Sequence, residues 1–534
     1  MGALWAKSDS FATSRWAPYR HGVPDAGVDL SIVQQFVGRT NVNTTARYNR
    51  RATTPEKRAA KSLHCCSSWH VAGPECSIRS GLQSVVPLSV SIRLVTLTEG
   101  TMGEMQTKLH FGRRTLRVAG GFIGALVISA SSSLIPSEGA SASATIPSIP
   151  SAKTLSSSIH FRATGFFRTR FVHGRWWLVT PGGRPFYSSG VDHVSSNPDT
   201  DRQTGQCPYC NAIAAEYPNV SDWAAATAAR LQSWGFNTIG SFSDYTSFAV
   251  QMPYTELLSM ASGNDWFAPS FVTNVESVAS TQVAGLANDP NLIGWYTDSE
   301  LHWGPDWRSS NIVLDDYLAL PSGSPGLAVA EHYRRNANAF VHALATRYFS
   351  VTTAAIHRYD PHHLILGVKA PAQLIQPELL KVARRYVDVF SIDDYALIPG
   401  LEQTIQQTWP QYLDPTPNLS NIEQVVKKPL MIGEYGFRAA DSGLPNTWPP
   451  IFPTFATQAD RATAYETFLT TMYASPWVVG DAWFEYVDEP AGGRTGDGED
   501  SNWGLVTVTN IPYQTMVNAA EAEHANAPST PPSP

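Results

Sequence analysis

The chain has 534 residues, 43% hydrophobic and 11% aromatic, with 38 Gly, 38 Pro, 5 Cys and a formal net charge of −7. Collagen, low-complexity disorder and a disulfide-dense miniprotein are excluded, and the length suffices for a core of about 250 to 350 residues. The charge is split: residues 1–144 carry 16 Lys+Arg against 8 Asp+Glu, and the remainder 22 against 37, balances of +8 and −15. A basic front joined to an acidic body predicts two unrelated pieces.

The first piece holds no expected chemistry. DLSIVQQFVGRTNVNTTARYNRRATTPEKRAAKSLH, from Asp29 to His64, resembles the C-terminal end of a tyrosine recombinase, which would make Tyr48 a DNA-cleaving nucleophile. The stretch lacks the family's Arg, Lys and His–Arg elements, and Gly38-Arg39 stands where the family has Gly-His. A nucleophile without its charge-stabilising cations has little catalytic value, so nucleic acid is not an expected partner. Residues 1–101, including Cys65, Cys66 and Cys76, read as an unstructured upstream remnant.

Residues 102–144, beginning at Met102 or Met105, read as an export signal. Lys108, Arg113, Arg114 and Arg117 precede the apolar run Val118 to Ile128, and Ala140-Ser-Ala142 and Ala142-Ser-Ala144 offer small-residue cleavage sites. The run is shorter than the ~20 helical residues a membrane span needs. A secreted protein without lasting membrane association is the expectation.

Residues 145–184 read as a linker and β-hairpin segment, with turns at Val172-His-Gly174 and Thr180-Pro-Gly-Gly183. From 185 to 520, short apolar runs ending in polar groups alternate with helical patterns. In order they are Pro185–Val194, Phe236–Asp244, Tyr254–Met260, Leu292–Glu300, Leu364–Lys369, Val387–Tyr395, Leu430–Glu434 and Asp481–Tyr486. Ser221-Asp222 caps a helix carrying Trp223, Leu231 and Trp234 on one face, and Tyr333, Ala337, Phe340, Val341, Leu344 and Tyr348 mark a long amphipathic helix. Eight such runs predict an α/β fold, a (β/α)8 TIM barrel with a small N-terminal β-rich segment. A doubly wound open sheet is disfavoured because no Gly-rich phosphate loop follows the first strand. Residues 521–534 read as a disordered tail.

A barrel directs its strand ends to one mouth, so those ends nominate the site. Strand four ends Asp298, Ser299, Glu300, and strand seven ends Glu434 directly after Leu430-Met-Ile-Gly433. A carboxylate there is costly unless it is paired or useful. Further strand-end candidates for binding hydroxyls are Asp192, His193, Asp244, Asp394, Tyr395 and Glu485. Asp393 belongs with that group, Trp303 and Trp483 (with Trp307 and Trp503) lie in or beside strand-end loops where they could offer ring faces to a ligand, and Arg494, Asp497, Glu499 and Asn502 could wall a pocket. Trp176, Trp177, Trp223 and Trp234 read as core. Cys207-Pro-Tyr-Cys210 is a disulfide candidate: no βαβ redox setting surrounds it, and zinc would need two more ligands that no nearby motif supplies. Neither a metal nor an organic cofactor is expected.

GRWWLVTPGGRPFYSSGVDHV, GWYTDSELHWG, LMIGEYGF and WFEYVDEPAGGRTGDGEDSNWGLVTVTNIPY together resemble the β-agarase family of retaining glycoside hydrolases (family 50), from about Phe161 to Met516. The resemblance implies Glu300 as acid/base, Glu434 as nucleophile, and a polysaccharide or oligosaccharide substrate of the β-linked galactan type. Ser299 stands where the family commonly has Asn, and Glu485 where it tends to have Gln. Ser299 also keeps open a catalytically impaired carbohydrate-binding barrel, and both departures keep open another β-linked glycan. The resemblance further implies that Glu300 is protonated and Glu434 ionised in the free enzyme.

Overall fold

The computed structural model describes residues 159–248, 252–416 and 419–528. The recombinase-like stretch, Cys65, Cys66, Cys76 and the export signal lie outside them.

The described chain opens with a small antiparallel sheet. β1 (Arg168–Val172) and β2 (Arg175–Val179) form a hairpin, and β3 (Pro185–Phe186) pairs with β2. The hairpin's two turn residues, His173 and Gly174, both have positive φ (53° and 75°), as a tight two-residue connection requires. Trp177 is buried beneath this sheet, whereas Trp176 is only partly covered.

A second, nine-stranded sheet positions everything else. Its strands are β4 (Ser188–Val191), β5 (Thr238–Ile239), β6 (Tyr254–Leu257), β7 (Leu292–Tyr296), β8 (Leu364–Gly367), β9 (Ala370–Pro371), β10 (Phe390–Asp393), β11 (Leu430–Tyr435) and β14 (Val478–Trp483). A third, two-strand sheet joins β12 (Arg438–Ala439) to β13 (Thr454–Phe455). The order in the large sheet is β8-β7-β6-β5-β4-β14-β11-β10-β9, and every pairing is parallel. The two edge strands, β8 and β9, are separated in the chain only by Val368 and Lys369. The Val389 amide, just before β10, donates to the Ile365 carbonyl of β8 at 3.2 Å, so the sheet curls back on itself.

All eight predicted runs contain a strand of this sheet, with three adjustments. Pro185–Phe186 belongs to the small sheet, because Leu178 and Val179 of β2 pair with it. The last strand begins at Val478, ahead of the predicted Asp481, and buries Val478 and Val479. The expected tail from 521 is helical as far as His524, within Gln514–His524. His524 is buried, with Nδ1 against the Trp234 carbonyl at 2.8 Å, which ties this helix to the segment after Ser233.

Helices cover the curled sheet. The helix Val220–Ser233 starts two residues earlier than a cap at Ser221 would give, because Asn219 rather than Ser221 supplies the capping oxygen to Asp222. It buries Trp223 and Leu231, with Trp234 just beyond its end. The long amphipathic helix spans Ala337–Tyr359, capped by Asn336, and Tyr333 instead ends a separate helix, Pro325–His332. Among the described residues no helix is long and apolar enough to cross a membrane.

Candidate active site

Glu300 and Glu434 meet in one cavity of about 680 Å³ at the C-terminal edge of the curled sheet. Beyond β7 the strand pairing continues irregularly: Thr297 donates to the Gly367 carbonyl at 2.8 Å and Glu300 to that of Lys369 at 3.1 Å. These bonds fix the peptide of Glu300, whose φ is 50°. A left-handed non-glycine residue costs on the order of 1–3 kcal/mol, and such residues persist where surrounding contacts impose them. Glu434 is the penultimate residue of β11 and is 8% exposed.

The two carboxyls are held differently. Glu434 Oε1 pairs with the Lys369 ammonium at 2.9 Å, and Oε2 accepts from the Tyr395 hydroxyl at 3.0 Å. Among the described residues no cation comes so close to Glu300. Burial first, then the charge of Glu434, pushes its pKa up to about 8, so it holds a proton at neutral pH.

The other expected residues divide into those at the cavity and those behind it. His193, Asp298, Ser299, Tyr395 and Arg494 line it, as do Trp307, Trp503, Asp497 and Glu499. Asp298 has both oxygens committed, to the Ala261 amide (2.9 and 3.0 Å) and, through Oδ2, to the Tyr348 hydroxyl (2.5 Å). Its pKa rises to about 7 through burial.

Several candidates are not brought to the cavity. Asp192 is fully buried and ion-paired to Lys369 at 2.9 Å. Asp244 ties down a loop through the Ser196 amide (2.9 Å) and the Ser195 and Ser196 hydroxyls. Trp303 packs among Trp266, Tyr348 and Phe349, and Trp483 between Tyr435 and Tyr465, so neither offers a face to a sugar. Asp394 is buried, its amide bonded to the Glu434 carbonyl, while its neighbour Asp393 lines the cavity. Asn502 is buried and donates to Asp488. Glu485 is buried beneath His193, which hydrogen-bonds to it.

Cys207 and Cys210 are disulfide-bonded at the start of the helix Pro208–Glu216, away from the cavity. His193, Asp199 and Glu485 have ligand atoms within 4.8 Å of one another, a spacing compatible with a metal. Without a metal, the imidazole is paired with both carboxylates. Burial alone would lower the His193 pKa, yet Glu485 and Asp199 outweigh it and raise it, and the Arg494 guanidinium lies 3.9 Å from Glu485.

Residues that sequence reasoning missed are Lys369 and the cavity aromatics Phe242, Trp409 and Phe452, together with His302 and Arg308. Lys369 was visible as the polar end of Leu364–Lys369, the same signal that nominated Glu300. The aromatics carry no such mark, since Trp409 and Phe452 sit in long connections after β10 and β11.

A parallel sheet curled on itself is a fold that this chain shares with solved agarases. The agarase AgWH50C aligns with a TM-score of 0.58 at 23% identity, covering 69% of this chain and 64% of that one. An exo-beta-agarase aligns at 0.57 and 22%, covering 69% and 65%. In sequence, Beta-agarase B of Vibrio sp. (strain JT0107) is 25% identical over 475 residues, 67% of this chain and 48% of its own length. Beta-agarase A of the same strain is 26% identical over 455 residues, 65% and 44%. The chain thus spans about half the length of the curated relatives it matches. No family model matches it.

Proposed function

We propose that this protein is a retaining glycoside hydrolase on a (β/α)8 barrel, cleaving an agarose-type β-linked galactan, with Glu300 as acid/base and Glu434 as nucleophile. The observation that carries the reading is the convergence of these two glutamates on one cavity in opposite electrostatic settings, one ion-paired and one protonated to about pH 8. The agarase relatives support the substrate class.

In the first step a Glu434 carboxylate oxygen bonds to the anomeric carbon while the glycosidic C–O bond breaks. The departing oxygen takes the Glu300 proton. In the second step Glu300, now a carboxylate, takes a proton from water, whose oxygen displaces Glu434 from the sugar and restores both groups. Trp307, Trp409, Trp503, Phe242 and Phe452 give the cavity aromatic faces suited to the C–H faces of sugars.

The cavity's cations favour a neutral polymer over a sulfated one. His302 lies between Asp306 (2.9 Å) and Asp316 (3.1 Å), which outweigh its burial and hold its pKa up to about 9. Arg308 pairs with Asp306 at 2.6 Å. Arg494 faces Asp497 (2.8 Å), Glu489 and Glu499 (3.3 Å each). Each positive group lining the cavity is already paired with carboxylates. Residues 102–144 complete the reading as an export signal, which sequencing the N-terminus of the secreted protein tests.

The deciding assay is hydrolysis of agarose and agaro-oligosaccharides by the wild type, with the anomer of the first product read by proton NMR. Retained configuration, lost in both Glu300→Gln and Glu434→Gln, is expected. Binding without hydrolysis would instead mark a carbohydrate-binding barrel, and unchanged turnover in either variant would sink the assignment.

A further inference from the structure

Lys369, buried behind the cavity against Glu434, is a charged group that the two-glutamate mechanism does not use. Its side chain is fully buried, and Nζ contacts Ser241 Oγ (2.6 Å), Asp192 Oδ2 (2.9 Å) and Glu434 Oε1 (2.9 Å). The rings of Phe242 and Tyr296 flank it at 4.7 and 5.4 Å. A buried ammonium is costly, and burial would lower its pKa. Asp192, Glu434 and Asp393 reverse that and hold it well above the ordinary lysine value.

The backbone around it is cleared to admit this cluster. A Cβ on Gly433, next to Glu434, would lie 3.0 Å from Lys369 Cε and 2.9 Å from Asp393 Oδ1. A Cβ on Gly240 would lie 1.9 Å from Asp192 Oδ1. β11 and the residue just after β5 therefore give up side chains where Lys369 and its counter-ion sit.

We propose that Lys369 is the positioning residue of the nucleophile and that Asp192 is its permanent counter-ion, an inference that rests on Glu434 being the nucleophile. Lys369 and Tyr395 grip opposite oxygens of Glu434 and fix the rotation of its carboxylate. When the Glu434 oxygen bonds to the anomeric carbon, its negative charge is consumed, while the departing oxygen takes the Glu300 proton. No proton leaves Lys369. Asp192 then keeps the ammonium paired beside the neutral ester, so forming the glycosyl–enzyme does not strand a buried charge. Asp192 thus acts from behind the cavity rather than on sugar.

The test uses three measurements on the full chain. First, the wild type is trapped with a 2-deoxy-2-fluoro galactosyl fluoride, and the labelled peptide is found by mass spectrometry. A label elsewhere than Glu434 overturns the nucleophile reading itself. Second, the nitrogen-15 signal of the Lys369 ammonium is followed in the wild type before and after trapping; a clear shift is expected, and an unmoved signal with Glu434 labelled overturns the present proposal alone. Third, Lys369→Met and the charge-balanced Lys369→Met/Asp192→Asn are assayed on agaro-oligosaccharide. Both should lose about a hundredfold or more in kcat with KM within about threefold, the split expected for transition-state positioning. The acidic limb of kcat/KM should move upward in Lys369→Met, where Asp192, Asp393, Glu300 and Glu434 face one another without their cation. A folded double variant within tenfold of wild-type kcat, with the limb unmoved, overturns the role of Lys369.

Discussion

Replacing Glu300 by Gln keeps the side chain's shape and removes only its proton, so its consequences depend on what leaves the sugar. An agaro-oligosaccharide departs as a poorly stabilised alkoxide and needs that proton in the transition state. Its kcat/KM should fall by about 10²–10⁴, the usual share of general acid catalysis. An aryl glycoside with an acidic phenol departs unaided, so its kcat/KM should fall by about tenfold at most. Its kcat should nevertheless drop, because Glu300 no longer activates water, and azide should restore turnover by attacking the ester without a base. The pH profile gives an independent measure. With a pKa of about 8, Glu300 is about nine-tenths protonated at pH 7 and about one-tenth at pH 9, so wild-type kcat/KM on oligosaccharide should fall about tenfold per unit above that point. This basic limb should vanish in Glu300→Gln. Equal losses on both substrates, or a basic limb that survives the substitution unmoved, would refute the assignment of Glu300 as the acid.

Three other substitutions or conditions probe separate parts of the structure. Asp298 (about 7), Glu256 (about 8) and Asp481 (about 7) all have pKa values raised by burial above their ordinary values near 4. Their contribution to stability is complete below about pH 4 and is lost as pH rises through 7 to 8, so Tm by scanning calorimetry should fall from pH 5 to pH 8, less steeply in Asp298→Asn. Trp409→Ala removes a partly exposed cavity face and should raise KM for long oligosaccharides roughly three- to tenfold at constant kcat, measured by steady-state kinetics. Arg461 is fully buried and donates to the carbonyls of Phe437 (2.7 Å), Trp503 (2.9 Å) and Gly504 (2.8 Å), so Arg461→Met should cost about 3 kcal/mol in urea unfolding.

Much of this architecture was legible because the large sheet is parallel and covered by helices. Its strands are apolar on both faces, as in Leu292–Tyr296 and Leu430–Tyr435, and read as short continuous runs closed by a polar residue. That closing residue marks a strand end but not the direction in which it points. The pairing of β10 with β11 slips between Ile392 and Asp393, and that of β11 with β14 between Ile432 and Tyr435. A slip breaks the two-residue alternation that would otherwise assign faces. Hence Asp393 rather than Asp394 reaches the cavity. The tryptophans went astray for a different reason. Trp303 follows Glu300 closely, but its loop turns inward onto the helix Ala337–Tyr359, where Tyr348 and Phe349 receive the ring.

The charged cluster at and behind the cavity also explains how so many carboxyls share one interior. Asp192, Asp393 and Glu434 surround a single ammonium, and were all three ionised the cluster would carry two uncompensated charges with almost no water. Two of these carboxyls yield in different degrees. Burial lifts Asp192 to about 6 even with Lys369 beside it, and burial together with the charge of Glu434 raises Asp393 well above the ordinary carboxylate range. Glu434, gripped on one oxygen by Lys369 and on the other by Tyr395, is the member with two donors. Asp393 lines the same cavity with no hydrogen-bond partner on either carboxyl oxygen among the described residues. With the pKa of Asp393 raised, Asp393→Asn should leave the pH profile of kcat/KM close to wild type, because amide and protonated acid present the same charge to Glu434. A profile displaced by a full pH unit would mean that Asp393 carries charge and that the partition of protons among these groups is otherwise.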